Sequence, residues 1–211
     1  MLVWPKTVRD GKFKYNSLDK SENQKDHTCI SEDDLFEFLK KRRNKLESVV
    51  ITGGEPTLQK DLPEFIEKIK KLGYLVKLDT NGTDPEMIEK MIDAKLIDYI
   101  AMDIKAPLEK YESVVGANID LAKIKKSIKI IMTNKIPYEF RTTVVPELIT
   151  QKDINEIGKM IENSEKWFIQ GFKSEGELVD REFEKKIPYA ERNLIEMCNI
   201  GKKYVKVSEI R

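Results

Sequence analysis

A chain of 211 residues and 24.6 kDa is long enough to bury a sizeable core as one large domain or a tight pair. With 40% hydrophobic and 36% charged residues, it carries too much core-forming material to be disordered as a whole. Its 38 basic residues against 37 acidic ones leave a formal net charge of +1, so no global field draws nucleic acid or an anionic membrane. No signal-peptide core opens the chain, and no stretch approaches the ~20 apolar residues of a membrane span. The protein is therefore expected to be soluble and cytoplasmic, with no nucleic-acid or membrane partner. Cys29 and Cys198 are the only cysteines. They are far apart and neither sits in a Cys-x-x-Cys pair, so reduced thiols are expected and no cysteine metal motif is present.

Residues 5–30 are polar and turn-rich, with Asp10-Gly11 and Asn16-Ser17, which predicts a loop or hairpin. Ser31 followed by Glu32, Asp33 and Asp34 has the pattern of an N-cap with acids at the positive helix end. Beyond it strand and helix patterns alternate. The run 48–52 predicts a strand, Asp61-Leu62-Pro63 opens a helix that Gly73 closes, and 74–79 predicts the next strand. Asp84-Pro85 starts a helix with Met87, Ile88, Met91 and Ile92 on one face, and 97–103 follows as a strand. A helix over 120–133 precedes the β-rich stretch 138–145. Thr150 caps a helix bearing Ile154, Ile157 and Ile161, and a strand follows over 167–170. The tail predicts a helix over 191–200 and a strand over 204–207. Such alternation implies a parallel α/β sheet with right-handed crossovers, whose chemistry collects at the carboxyl ends of the strands.

Four of those ends carry polar groups. After the first of these strands stands Gly53-Gly54-Glu55-Pro56-Thr57. Paired glycines let the backbone approach a ligand closely, Glu55 offers an acceptor, and Pro56 fixes the exit turn; the other reading is a plain turn. The second strand ends in Asp79-Thr80-Asn81-Gly82, either ligand groups or an Asn-Gly turn with Asp79 as helper. The third ends in Asp103-Ile104-Lys105, whose two charges point to one face and are either used or paired with each other. In the fourth, Glu139, Arg141 and Thr143 share one face. There Arg141 is either a planar contact for a carboxylate or base, or the partner of Asp103 or Asp79. His27 reads as a surface residue and Cys198 as core, while Lys123, Lys125, Lys126 and Lys129 read as a solvated helix face rather than a nucleic-acid site.

Taken together, VVITGGEPTL, LDTNGT, DYIAMDIKAP and EFRTTVVP resemble radical S-adenosylmethionine (SAM) proteins. Among these they resemble in particular the glycyl-radical-enzyme activating proteins of the anaerobic ribonucleotide reductase type. The likeness runs from about Ser31 to Phe172. It implies a partial parallel (β/α)6 barrel over 31–211 with a C-terminal helix and strand, preceded by a loop-like segment over 1–30. It also implies that Gly53, Gly54, Glu55 and Pro56 hold the SAM amino group, and that Asp79, Thr80 and Asn81 lie by its ribose and carboxylate. Asp103, Ile104 and Lys105 would line the carboxylate side, Arg141 would close the pocket, and Gln170 would sit near the adenine.

Members of that family carry a Cys-x3-Cys-x2-Cys loop that holds a [4Fe-4S] cluster, and this sequence has none. The first barrel strand and the cluster loop are expected to be absent through a misassigned start, a truncation or genuine loss. For an intact relative, the resemblance implies reductive cleavage of SAM to a 5'-deoxyadenosyl radical that takes hydrogen from a glycine of a partner enzyme. A flavodoxin or ferredoxin would supply the electron. The chain alone is expected to be inactive, without metal ligands of its own. Two other readings are a radical SAM enzyme acting on a small molecule or tRNA precursor, and a cluster-less SAM-binding scaffold. An ordinary phosphate-binding barrel enzyme ranks last, for want of a glycine-rich loop after the late strands.

Overall fold

The computed structural model describes residues 6–7, 13–14, 30–174 and 181–211. Strands β1 (Lys6–Thr7) and β2 (Phe13–Lys14) pair antiparallel. His27 and Cys29 lie outside the described residues.

The alternation read from the sequence is present. Helix α1 (Glu32–Arg42) and strand β3 (Ser48–Ile51) come first, followed by α2 (Leu62–Lys71), β4 (Leu75–Thr80), α3 (Pro85–Asp93) and β5 (Tyr99–Asp103). Then come α4 (Tyr111–Val115), α5 (Leu121–Thr133), β6 (Tyr138–Val144), α6 (Gln151–Met160), β7 (Lys166–Gly171), α7 (Glu191–Gly201) and β8 (Val207–Ile210). Strands β3 to β8 form one six-stranded sheet in sequential order, with parallel pairing at β3/β4, β6/β7 and β7/β8. Sequential order with a helix in each connection is the mark of a parallel α/β fold. Among the described residues no helix is long and apolar enough to cross a membrane.

The chain groups into two compact units. The first holds α1 to α3, β3, β4 and the start of β5; the second runs from the end of β5 to β8 and includes Asn81–Thr83. In the first, α2 turns Leu62, Phe65, Ile66 and Ile69 inward, and β4 buries Val76 and Leu78. This is the outcome of 3.6-residue and two-residue periods meeting on one core. Tyr74 was expected to open β4. It is instead a buried anchor before the strand, its hydroxyl donating to the Leu39 carbonyl at 2.6 Å.

In the second unit Trp167, Phe140, Ile154, Ile157 and Tyr111 are buried. The Trp167 indole N–H donates to Thr142 Oγ1 at 3.0 Å, which satisfies its one polar atom. Buried Glu139 meets Arg211 at 2.7 Å, and the Arg211 guanidinium stands 5.2 Å from the Phe168 ring centre.

One expected element is displaced. The last strand runs Val207–Ile210, not 204–207. The Tyr204 ring lies against Gly158 of α6, and its hydroxyl donates to Asn155 Oδ1 at 2.6 Å. Its carbonyl accepts from Asn163 N. With side chain and carbonyl committed to α6 and the turn after it, Tyr204 is not available to a strand, and pairing with β7 begins at Val207 opposite Lys166. The caps expected at Ser31, Asp84 and Thr150 are present: Ser31 and Asp84 each accept from a first-turn amide, and Thr150 with Asp153 forms a capping box; Asp120 also accepts from a first-turn amide.

Candidate functional site

The register of β3 on β4 sets Ile51 beside Leu78, so the segments leaving the two strands emerge together. Gly53 has φ +123°, a conformation that side-chain-bearing residues rarely adopt. Gly54 differs: its φ is not in that region, it is exposed, and nothing stands within 4 Å of where a Cβ would be. Glu55 then caps the 3-10 helix Pro56–Leu58, with Pro56 at its first position.

The Glu55 carboxylate is held firmly. Its Oε1 accepts from Thr57 N at 3.2 Å, Thr57 Oγ1 at 2.6 Å and Thr80 Oγ1 at 2.7 Å. Both threonines are buried, at 1% and 3% exposure, so the hydroxyls cannot swing away. A half-buried carboxylate locked in this way beside an open glycine turn is preorganised to receive a cationic group. Nearby, Lys77 Nζ lies 3.6 Å from Asp79 and 5.3 Å from the centre of the Tyr99 ring. Lys77 and Asp79 are two apart on β4, a spacing that puts both on one face and was legible in the sequence.

In the second unit Asn81 Oδ1 accepts from Thr83 N and Thr83 Oγ1, at 3.0 and 2.7 Å. The geometry is thus that of an Asx turn. Gly82 takes φ +79°, and its carbonyl accepts from buried Ser127 Oγ at 2.7 Å.

At the end of β5, Asp103 Oδ2 meets Lys105 Nζ at 2.8 Å and Oδ1 meets Arg141 Nε at 2.9 Å. Of the readings open in the sequence, mutual pairing is therefore what the geometry contains, with Arg141 bound to Asp103. Arg141 is 13% exposed and Lys105 41%, so this cation pair is partly open to solvent. Ile104 is fully buried, and its N–H donates to the Arg141 carbonyl at 2.8 Å. Behind it, burial pushes the Tyr111 phenol up to about 12, which keeps the hydroxyl protonated at neutral pH. Gln170 is half-buried on β7, in register with Thr143.

Sequence reasoning missed one further cluster. Asp153 accepts from Lys110 Nζ at 2.8 Å, Thr150 N at 2.8 Å and Thr150 Oγ1 at 2.7 Å. Burial works to raise its carboxyl pKa, but Lys110 and the two Thr150 bonds outweigh that and hold it below the usual range. Lys110 precedes α4, a helix without a clear periodic signal, so this pairing had no mark in the sequence.

The glycine turn and the held carboxylate fit the amino-acid end of a SAM molecule: Gly54 leaves room that a side chain would fill, and Glu55 complements an ammonium. Among the described residues no cysteine is placed to ligate an iron–sulfur cluster. Burial raises the Cys198 thiol and keeps it in the core, where a thiolate is disfavoured. Among the described residues no group of three His, Cys, Asp or Glu is placed to hold a metal ion.

The fold and the strand-end motifs define a class, and the chain belongs to the radical SAM superfamily, whose family model matches residues 15–161. Within it, the chain is 43% identical over 171 residues to a candidate glycyl-radical enzyme activating enzyme of Methanocaldococcus jannaschii, covering 78% of this chain and 70% of that protein. Among solved structures, it superposes on a domain of a pyruvate-formate lyase-activating enzyme from Bacteroides vulgatus with a TM-score of 0.63 at 16% identity. That match spans 78% of this chain and 99% of that one. The structure of TYW1 with a lysine–pyruvate adduct matches with a TM-score of 0.58 at 16% identity, over 96% of this chain and 70% of that one. The two structural matches speak for the fold.

Proposed function

We propose that this chain is the SAM-binding part of a glycyl-radical-enzyme activating protein, with residues 31–211 as the binding domain. The observation that carries the reading is the turn after β3. There two buried threonines orient the Glu55 carboxylate beside a glycine whose openness neither packing nor backbone requires. In this reading Glu55 receives the SAM ammonium, and the backbone of Gly53 and Gly54 lies along the methionine moiety while Pro56 fixes the turn. Asp79, Thr80 and Asn81, together with Asp103, Ile104, Lys105, Arg141 and Gln170, are proposed as further SAM contacts by family resemblance. When bound, SAM supplies a sulfonium whose carbon–sulfur bond breaks on one-electron reduction. Glu55 fixes the amino-acid end, and the exclusion of bulk from the glycine turn sets how deeply that end seats.

The 43% identity to a candidate glycyl-radical enzyme activating enzyme supports a glycine-bearing protein substrate, and the anaerobic ribonucleotide reductase type is proposed from the resemblance of the strand-end motifs. A flavodoxin or ferredoxin is proposed as the electron donor, and the cytoplasm as the setting.

The test is calorimetric titration of SAM into the chain and into its Glu55→Gln variant. Saturable binding that weakens about tenfold or more in the variant, as expected for loss of a charge-assisted bond, supports the reading. Equal affinity in the two proteins overturns it.

A further inference from the structure

Outside the candidate site, the second unit carries a groove of about 420 Å³ between α5 and α6. Its lining includes the apolar side chains of Leu108, Ile128, Met132 and Met160, with Thr133 and the exposed Lys125 and Lys129 beside them. Four methyl-rich side chains of this kind, two of them flexible thioethers, make a surface that adapts to an inserted apolar side chain.

The charge of the helix along it is one-sided. Helix α5 reads Leu-Ala-Lys-Ile-Lys-Lys-Ser-Ile-Lys-Ile-Ile-Met-Thr, with lysines at 123, 125, 126 and 129 and no acidic residue. Lys125 and Lys129 are one helical turn apart, a spacing at which like charges repel, and both are exposed. Neither has an acidic partner among the described residues. Of the three acids of the adjoining cavity, Asp153 is engaged with Lys110 and Glu156 with Lys159, and Glu109 is exposed beside Leu108. A helix that keeps unrelieved repulsion along an apolar groove is complementary to an acidic, amphipathic segment.

We infer that the α5/α6 groove docks an acidic amphipathic segment of a protein partner. The segment's apolar side chain seats among Leu108, Ile128, Met132 and Met160, and its flanking carboxylates meet Lys125 and Lys129. A protein fits this surface better than a nucleic acid. No aromatic residue on which a base could stack lines the groove, no arginine fork is present, and phosphates have no use for a surface of thioethers and aliphatics. The inference goes beyond the proposed function and does not depend on SAM binding. Ser127, which ties α5 to the Gly82 carbonyl, stands next to groove residue Ile128 in sequence, so the docking helix also anchors the turn after β4.

Fluorescence anisotropy with three labelled probes tests this on the intact chain. The first is a helical peptide of Leu flanked by Glu at helical spacing, the second is the same peptide with Gln for Glu, and the third is a single-stranded RNA. The acidic peptide should bind most tightly, with an affinity that falls as salt rises. Lys125→Glu with Lys129→Glu should weaken it about tenfold and confer binding of a Lys-for-Glu peptide. Met132→Glu should abolish apolar seating while leaving the far-ultraviolet spectrum unchanged. Equal binding of the Gln peptide, indifference to the charge reversal, or preference for the RNA would each overturn the proposal.

Discussion

Gly53 and Gly54 stand side by side yet are glycines for different reasons, and exchanging each for alanine separates folding from binding. At Gly53 the backbone sits at φ +123°, beyond the small left-handed basin open to other residues. Holding alanine there costs about 1–3 kcal/mol, a fall of about 2–4 °C in melting temperature for each kcal/mol in a chain of this size. At Gly54 the φ is ordinary and a Cβ would meet nothing within 4 Å. Gly54→Ala should therefore leave stability unchanged or raise it by about 0.4–1 kcal/mol, by restricting the unfolded chain.

Binding should respond in the opposite sense. If the open space over Gly54 admits the amino-acid end of SAM, a methyl group there displaces it from Glu55. Losing a hydrogen bond to a charged group costs about 1.5–3 kcal/mol, or about 10- to 100-fold in Kd. Urea unfolding followed by circular dichroism gives the stability of each variant, and calorimetry gives its SAM affinity. A Gly54→Ala protein that binds SAM as well as the parent would refute the assignment of the turn. One that unfolds more readily would refute the claim that folding does not need this glycine.

Two further predictions concern the second unit. A Cβ on Gly158 would lie 2.3 Å from one atom of the Tyr204 ring and 2.8 Å from two others, and a rigid ring cannot yield as a flexible chain end can. Gly158→Ala should therefore cost about 1–3 kcal/mol from overpacking, despite a helix-propensity gain of about 1 kcal/mol. Adding Tyr204→Ala should recover part of that loss, so additive losses in the double-mutant cycle would argue against the clash. For Asp153, the folded-state pKa lies below that of the unfolded chain. Its stabilisation is thus fully present above the unfolded value of about 4 and is lost as pH falls through the folded value. Asp153→Asn should cost about 1.5–3 kcal/mol at neutral pH through loss of the charge-assisted bonds from Lys110 and Thr150, and the gap between the two proteins should narrow as pH falls below about 4. A constant gap across that range would mean that the charge of Asp153 contributes nothing.

Much of this fold is legible in the sequence because its signals are local. Ser31, Asp84 and Thr150 mark helix starts through the chemistry of their own side chains, and each caps the helix expected of it. The contacts that decide what a strand end can do are not local. The bond between Thr80 and Glu55 joins residues 25 apart, and it exists because the parallel register sets Ile51 beside Leu78. Lys110 and Asp153 are 43 apart, and neither segment announces the other. Tyr204 shows the same effect at an element boundary. The run Tyr204-Val205-Lys206-Val207 has strand propensity, but a packing partner on α6 captures its first residue and the strand starts at Val207.

The glycines make the argument from the other side. Gly53 and Gly82 are explained by positive φ, Gly82 also by the Met102 side chain pressed against it, and Gly158 by the Tyr204 ring. Gly54 has neither kind of reason within the chain. A glycine weakens a fold by the freedom it gives the unfolded state, so SAM affinity of the Gly54→Ala protein is the measurement that decides whether a bound molecule is the reason for this one. That places the weight of the functional reading on one exposed backbone position. The carboxylate two bonded threonines hold beside it is the group that would meet whatever arrives there.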